Sequence, residues 1–315
     1  MEMRYVFGPV MSGRLGRSLG IDPLGRAICS QDCLYCEAGA TRVHTVERKV
    51  YAPKEAILAE LKAWAKAPHP PLDYATLGGL GEPTLSSDMG VIIEEIRKIL
   101  PGTPVAVLTN SSTLTNPDVL RELCLADVVL PSLDTLVPGE YSRLNRPVAG
   151  LGPETIAEGL LALRRSFAGK IFLEVLLAEG FNDSEENLKR IKEFCVRLAP
   201  ERVDVETLTR PGASPEARAV RPETLALWRE ALGVAGEAPR AREQEGQERR
   251  TPREDLQDMI LASTARRPQS AEQLALALGA RLEDVDLAVR ELVHAGLAEE
   301  ARRDATTFYR AAHKA

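Results

Sequence analysis

Between residues 74 and 208, short apolar runs alternate with amphipathic helix patterns, and this alternation restricts the chain to a parallel α/β sheet. Strands are expected at YATLGG (74–79), PVAVLTN (104–110), DVVLPSL (127–133), KIFLEVLLA (170–178) and VDVETL (203–208), each of the kind that parallel sheets bury on both faces. Helices are expected at 53–67, where Ile57, Leu58 and Leu61 share a face, and at 89–100, 117–125, 153–166 and 184–198. Asn116-Pro117, Gly152-Pro153 and Asp183-Ser184 supply caps or first-turn prolines at three of those starts. About six βα units with right-handed crossovers predict a partial (βα)6 TIM-like barrel, with an ordinary doubly wound sheet as the alternative. The Gly- and Arg-rich lead-in predicts an extended stretch with one strand ending near Ile28.

The chain of 315 residues has room for one large core and a small satellite. Residues 235–252 are charged and lack large apolar side chains, so they read as a linker between a barrel over 1–234 and a tail over 253–315. In the tail, three helix patterns precede two β-like pieces, which predicts a winged helix-turn-helix. The whole chain carries 40 Lys+Arg against 46 Asp+Glu, so it is not the electropositive body expected of a protein that mainly grips nucleic acid. The presumed recognition helix carries Glu283, Asp284, Asp286 and Glu291, which would repel phosphates, whereas Arg302, Arg303 and Arg310 on the wing leave a weaker contact open. No apolar run approaches the roughly 18 residues that span a bilayer, and no leader pattern is evident, so a cytoplasmic location with no membrane partner is expected.

Three of the five cysteines fall in CSQDCLYC, as Cys29, Cys33 and Cys36. An odd count with three thiols in eight positions reads poorly as a disulfide framework and better as metal binding in a reducing compartment. The C-x3-C-x2-C spacing lets one loop wrap three corners of a [4Fe–4S] cubane and leaves the fourth iron open. A zinc site or a structural cluster is the plainer alternative, but zinc sites usually draw four ligands and no second Cys pair or suitably spaced histidine appears. Cys124 and Cys195 lie in helical patterns and are expected to be buried thiols.

CSQDCLYC resembles the cysteine signature of the radical S-adenosylmethionine (SAM) superfamily, in which the residue before the third cysteine is usually aromatic, here Tyr35. The resemblance implies a [4Fe–4S] cluster on Cys29, Cys33 and Cys36, SAM as cofactor, reductive cleavage to a 5′-deoxyadenosyl radical, and an external electron donor of flavodoxin or ferredoxin type. GGLGEPTL (78–85) resembles the superfamily's GGE element, so Gly81 and Glu82 are expected at SAM, Glu82 accepting from its methionyl ammonium. Asn110 and Ser111, with Ser132 and Asp134, close the next two strands at the carboxyl edge where α/β folds bind ligands. By resemblance they face the SAM carboxylate and ribose; as ordinary residues they would be turn or cap formers.

Glu174 and Glu206 interrupt apolar strands, and a buried carboxylate is costly unless paired, so both are expected in a polar lumen as substrate or SAM contacts. Among the loop arginines Arg14, Arg17, Arg143, Arg146 and Arg210, the strongest candidates to hold an anionic substrate are Arg146 and Arg210, each ahead of a proline. The lead-in, GGLGEPTL, NRPVAG, EGFNDSEENL and TRPGASP together resemble the wyosine-type tRNA-modifying iron–sulfur oxidoreductases over about residues 5–220. There is no second cysteine set ahead of Cys29, so wyosine synthesis itself is not expected. The substrate stays open between a tRNA nucleoside or other RNA, a peptide and a small metabolite, and a cluster-sensing regulator is the non-enzymatic alternative.

Overall fold

The computed structural model describes residues 3–234, 253–303 and 305–312. In chain order the elements are β1 (Val6–Ser12), β2 (Gly16–Ile21), β3 (Ile28–Cys29), β4 (Val43–His44), α1 (Lys54–Lys66), β5 (Tyr74–Leu77), α2 (Met89–Ile99), β6 (Val105–Thr109), α3 (Pro117–Leu123), β7 (Val128–Pro131) and α4 (Pro138–Leu144). There follow α5 (Pro153–Ser166), β8 (Lys170–Leu177), α6 (Glu185–Leu198), β9 (Arg202–Thr207), α7 (Pro222–Ala231), α8 (Arg253–Thr264), α9 (Ala271–Leu278), α10 (Leu282–His294), β10 (Ala298–Arg303) and β11 (Thr306–Ala311). The expected linker lies outside the described residues.

One sheet runs β1-β2-β5-β6-β7-β8-β9. β1 is antiparallel to β2 and every later neighbour is parallel, giving six parallel strands backed by helices. The sheet curls far enough for its two ends to meet: the Arg202 Nη2 of β9 donates to the Arg14 carbonyl in the β1–β2 turn at 3.1 Å. This is the half-barrel form of the expected α/β fold.

Period-2 alternation decides which side chains enter the lumen. Val105 and Val107, Val129, and Ile171 and Leu173 pack outward under the helices in the main core. Their alternates Ala106, Leu108, Val128, Leu130 and Phe172 meet Leu15 in a separate inner cluster that closes one end of the lumen. The helices obey their caps. Ser184 accepts from the Asn187 N–H at the start of α6, and Asn116 from the Asp118 N–H at the start of α3.

The lead-in departs from the expected single strand. Its residues form the β1–β2 hairpin, and only Ile28–Cys29 is extended near the expected end. The hairpin was hidden because its side chains are small by necessity. A Cβ on Gly20 would stand 2.1 Å from the Phe7 ring that covers it, so the apolar alternation that marks a strand is missing.

Beyond the linker, α8–α10 and the β10–β11 hairpin bury their own core, with Ile260, Leu274, Val285, Val289 and Leu292 among its members. α8 and α9 lie on β1, covering a sheet edge that would otherwise offer unpaired backbone groups. Polar contacts fix this docking: Ser263 Oγ donates to the Pro9 carbonyl at 3.2 Å, Arg17 Nη2 to the Leu276 carbonyl at 3.0 Å, and Arg266 pairs with buried Asp22 at 3.2 Å. Cys124 is exposed at the end of α3 and Cys195 half-buried on α6. The expectation of buried thiols therefore fails for Cys124, which follows the last helical residue and leaves the buried stripe of Val119 and Leu123. Among the described residues, no helix is long and apolar enough to cross a membrane.

Candidate active site

The cysteine loop leaves β3 and is pinned by backbone bonds from the end of α4. The Asp32 N–H donates to the Asn145 carbonyl at 3.0 Å and the Leu34 N–H to the Leu144 carbonyl at 3.0 Å. On its other side the Ser214 N–H reaches the Leu34 carbonyl at 2.9 Å, and Gly212 comes so close that a Cβ there would stand 2.9 Å from Tyr35 backbone. The loop is thus clamped between the NRPVAG and TRPGASP segments.

All three thiols are half-buried. Asn110 Nδ2 donates to Cys29 Sγ at 3.3 Å and Asn145 Nδ2 to Cys33 Sγ at 3.5 Å. Burial pushes the Cys29 thiol up to about 12 and Cys33 well above its usual value, with neighbouring cysteine charges adding to both. Among the described residues no three His, Cys, Asp or Glu side chains close around one point as ligands of a single ion would; a cubane takes its thiolates at separate iron corners and needs no such convergence. Three thiols on one clamped loop, two of them already accepting amide hydrogen bonds, fit the donor set of an iron–sulfur cluster.

Gly81 brings the GGLGE loop against this one. A Cβ on Gly81 would fall 1.9 Å from the Ile28 carbonyl oxygen, immediately before Cys29. The next residue seals the contact, its Glu82 N–H donating to the same Ile28 carbonyl at 2.9 Å. The Glu82 side chain is 2% exposed. Its Oε1 accepts from the Thr84 N–H at 3.1 Å, Thr84 Oγ1 at 2.5 Å and Thr109 Oγ1 at 2.8 Å; Oε2 accepts from the Asn110 N–H at 2.6 Å. Burial pushes this carboxyl above the usual range against the pull of those bonds. Asn110 therefore ties Glu82 to Cys29 directly.

A second network stands across the loop. Asp134 is buried and accepts from the Tyr35 hydroxyl, from Asn145 Nδ2 at 2.8 Å and from the Leu176 N–H at 3.0 Å. Burial raises its carboxyl, opposed by these donors. Asn182 and Asn187 both donate to its carbonyl, at 2.9 and 3.0 Å, which explains the EGFNDSEENL run as a lock on this strand end. Ser111, in the left-handed region at φ 68°, donates from Oγ to the Ser132 carbonyl at 2.9 Å.

Glu174 and Glu206 alternate with outward-packed Val175 and Val205, which sets both on the lumen side. Arg14 pairs with Glu174, and Arg202 with Asp204 at 2.7 Å. Burial pushes Glu174 up to about 7, with Arg14 opposing. Arg210 reaches Glu37, the residue after Cys36, at 3.2 Å. Arg146 stands apart. It is exposed, φ 43°, and lines an outer depression with Asp32, His44 and Ser142. Arg143 is exposed over the Phe181 ring and Arg17 is spent on the tail.

Sequence reasoning missed Asn145, Glu37 and the threonine pair around Glu82. Asn145 sits in the NRPVAG segment, and Glu37 directly follows the third cysteine; those positions were the available signals.

A half-barrel of parallel strands carrying a three-cysteine loop at its carboxyl edge, with a buried Gly-Glu turn stitched to it, is an α/β scaffold of the kind that places ligand-binding groups at the ends of its strands. Residues 27–191, just over half of the sequence, match the profile of the radical SAM superfamily, and the chain belongs to that superfamily. It is similar to a UPF0026 protein of Helicobacter pylori strain J99, 32% identical over 281 residues that cover 88% of this chain and 89% of the relative. A UPF0026 protein of Synechocystis sp. is 38% identical over 207 residues, 65% of this chain and 76% of the relative. A protein of Brachyspira hyodysenteriae named GTPase Obg is 30% identical over 305 residues, 95% of this chain but only 44% of the relative, so the chain spans less than half of that protein. Among solved structures, SuiB of Streptococcus suis superposes with TM-score 0.52 at 16% identity, over 68% of this chain and 45% of SuiB. A radical SAM methyltransferase from Sphaerobacter thermophilus gives 0.50 at 15%, over 69% and 63%. Both likenesses are of fold. Membership implies SAM and an iron–sulfur cluster.

Proposed function

We propose that the chain holds a [4Fe–4S] cluster on Cys29, Cys33 and Cys36 and SAM at the carboxyl edge beside it, and so initiates hydrogen abstraction from a substrate in the lumen. When bound, the cluster supplies the electron, taken from a flavodoxin- or ferredoxin-type donor, that splits SAM into methionine and a 5′-deoxyadenosyl radical. The observation that carries this reading is the Cys29–Asn110–Glu82 link, which sets a carboxylate and a cluster ligand in fixed relation.

The chain's own groups then divide the work. Asn110 and Asn145 donate to two of the sulfurs, and such bonds raise a cluster's reduction potential. Oε1 of Glu82 is filled by three donors, whereas Oε2 accepts from the Asn110 N–H alone and has capacity for one more. The methionyl ammonium of SAM would complete it. Asp134 holds Tyr35 and Asn145, keeping the loop in register with β7 and β8.

The tail fits the winged-helix reading in element order, and its wing faces inward: Arg303 donates to the Arg210 carbonyl and Arg310 to the Glu37 carbonyl. Two of the three wing arginines thus serve the barrel, which supports a small molecule or peptide over a tRNA nucleoside as substrate, and with it distance from wyosine chemistry. Electron paramagnetic resonance on the reduced, reconstituted protein tests the cofactor assignment. A cluster signal that changes on adding SAM, and its loss in Cys33→Ala, are expected; a signal indifferent to SAM contradicts the open iron.

A further inference from the structure

The two amides that donate to cysteine sulfurs are held differently. Asn145 spreads one nitrogen over Cys33 Sγ at 3.5 Å, the Tyr35 hydroxyl at 3.4 Å and Asp134 Oδ2 at 2.8 Å. Among the described residues its Oδ1 is buried without a hydrogen-bond partner. Asn110 uses every polar atom of its side chain. Its Oδ1 accepts from the Ser112 N–H at 3.1 Å, and its Nδ2 donates to Ser30 Oγ at 2.9 Å and to Cys29 Sγ at 3.3 Å.

These bonds fix which way the amide faces. A backbone N–H can only donate, so the Asn110 atom beside Ser112 is the oxygen, and the nitrogen is turned toward the cysteine loop. An amide nitrogen carries two hydrogens that diverge. With one taken by Ser30, the other is directed at Cys29.

Ser30 is itself held. It is fully buried, its Oγ lies 2.6 Å from Ser112 Oγ, and its carbonyl accepts from the Val148 N–H at 2.9 Å. A hydroxyl has one hydrogen and two acceptor positions, so whichever serine donates in the pair, Ser30 Oγ keeps a lone pair for Asn110. The three residues close a ring: Ser112 binds the Asn110 oxygen through its N–H and Ser30 through its hydroxyl, and Ser30 binds the Asn110 nitrogen.

Stability gives little reason for the hydroxyl pair, since replacing both partners of a buried hydrogen bond by apolar groups is close to neutral. What the pair supplies is direction. Direction matters at Cys29 because hydrogen bonds to the sulfurs of an iron–sulfur cluster help to set its reduction potential.

We infer that Ser30 and Ser112 are positioning residues that act through Asn110, aiming its amide at Cys29 and so holding the cluster at a higher reduction potential. The inference deepens the function proposed above, and it rests on that reading in taking Cys29 as a cluster ligand.

Redox titration of the full-length, cluster-reconstituted protein without SAM, followed by electron paramagnetic resonance, reads the potential. Asn110→Leu keeps the bulk of the side chain and leaves the backbone N–H for Glu82. It should lower the potential by at least the equivalent of a tenfold drop in the reduced-to-oxidised ratio, about 59 mV for one electron. Ser30→Ala and Ser112→Ala should shift it the same way by less, and Ser112→Thr, which restores the hydroxyl, should return it to the wild-type value. The decisive comparison places Ser30→Ala in the Asn110→Leu background, where it should shift the potential no further. A serine acting only through packing or solvent access would shift both backgrounds alike, and that result, or a wild-type potential in both serine-to-alanine variants, overturns the inference. Should Ser30→Ala take up no cluster, Ser112→Ala carries the same comparison from a residue further from the ligand. Because SAM is left out, an Asn110-dependent shift in a protein that fails to cleave SAM would sink the radical reading and spare the positioning role, whereas SAM cleavage with potentials indifferent to the serines would do the reverse.

Discussion

At the scale of single residues, spacing announces chemistry where the partners are local and conceals it where they are distant. Cys29, Cys33 and Cys36 stand out because their spacing is a short local pattern, and Glu82 because it follows a glycine run directly after a strand. Asn145 and Arg267 do not, since one reaches Cys33 and the other Met11 only through tertiary packing. Gly81 was marked as a site residue, yet its physical work is steric. Gly81→Ala must displace the Ile28 carbonyl, so a loss of about 2–4 kcal/mol in urea unfolding and less iron per chain on reconstitution are expected. Unchanged stability with full iron content would show that the two loops need not approach so closely.

Glu174 makes a second residue-scale case, with a defined sign. Its folded carboxyl, pushed up to about 7 by burial against the opposing pull of Arg14, holds a proton that the unfolded chain, near 4.5, has released. Stability therefore falls as pH rises from about 4.5 to about 7, by at most about 3.5 kcal/mol at roughly 1.4 kcal/mol per pH unit. Denaturation midpoints of wild type and Glu174→Gln across this window should differ in slope, the variant being flatter. Parallel curves would mean that Glu174 titrates as an ordinary carboxylate.

At the scale of elements, long helices with capped starts were legible to within a residue or two, as α5 and α6 show. The elements missed had weak periodicity. α4 has seven residues, and α7 buries only Trp228. The β1–β2 hairpin was missed for the opposite reason, its glycines being demanded by close packing. β1 is nonetheless firmly placed. The Glu60 carboxylate on α1 accepts the backbone N–H groups of Arg4, Tyr5 and Val6 at 3.0, 2.7 and 3.0 Å. Glu60→Ala strands those donors at the start of the strand, and a loss of about 2–4 kcal/mol is expected by chemical denaturation; a change under about 0.5 kcal/mol would mean water replaces the carboxylate at no cost.

At the scale of the whole molecule, the alternating pattern led to the half-barrel, but nothing in the sequence said where the tail would sit. Its acidic surface argued only against phosphate-rich partners. In the structure the tail covers β1 and reaches both Arg210 and Glu37 through its hairpin, so cluster loop, lumen and tail form one continuous assembly.

The most direct test of the central claim is to reconstitute the full chain anaerobically with iron and sulfide, reduce it in the presence of SAM and quantify 5′-deoxyadenosine beside Cys33→Ala. Formation by wild type and not by the variant is the expected result. Cluster-loaded wild type that yields no more than the variant would contradict the assignment of Cys29, Cys33 and Cys36 as the site of SAM cleavage.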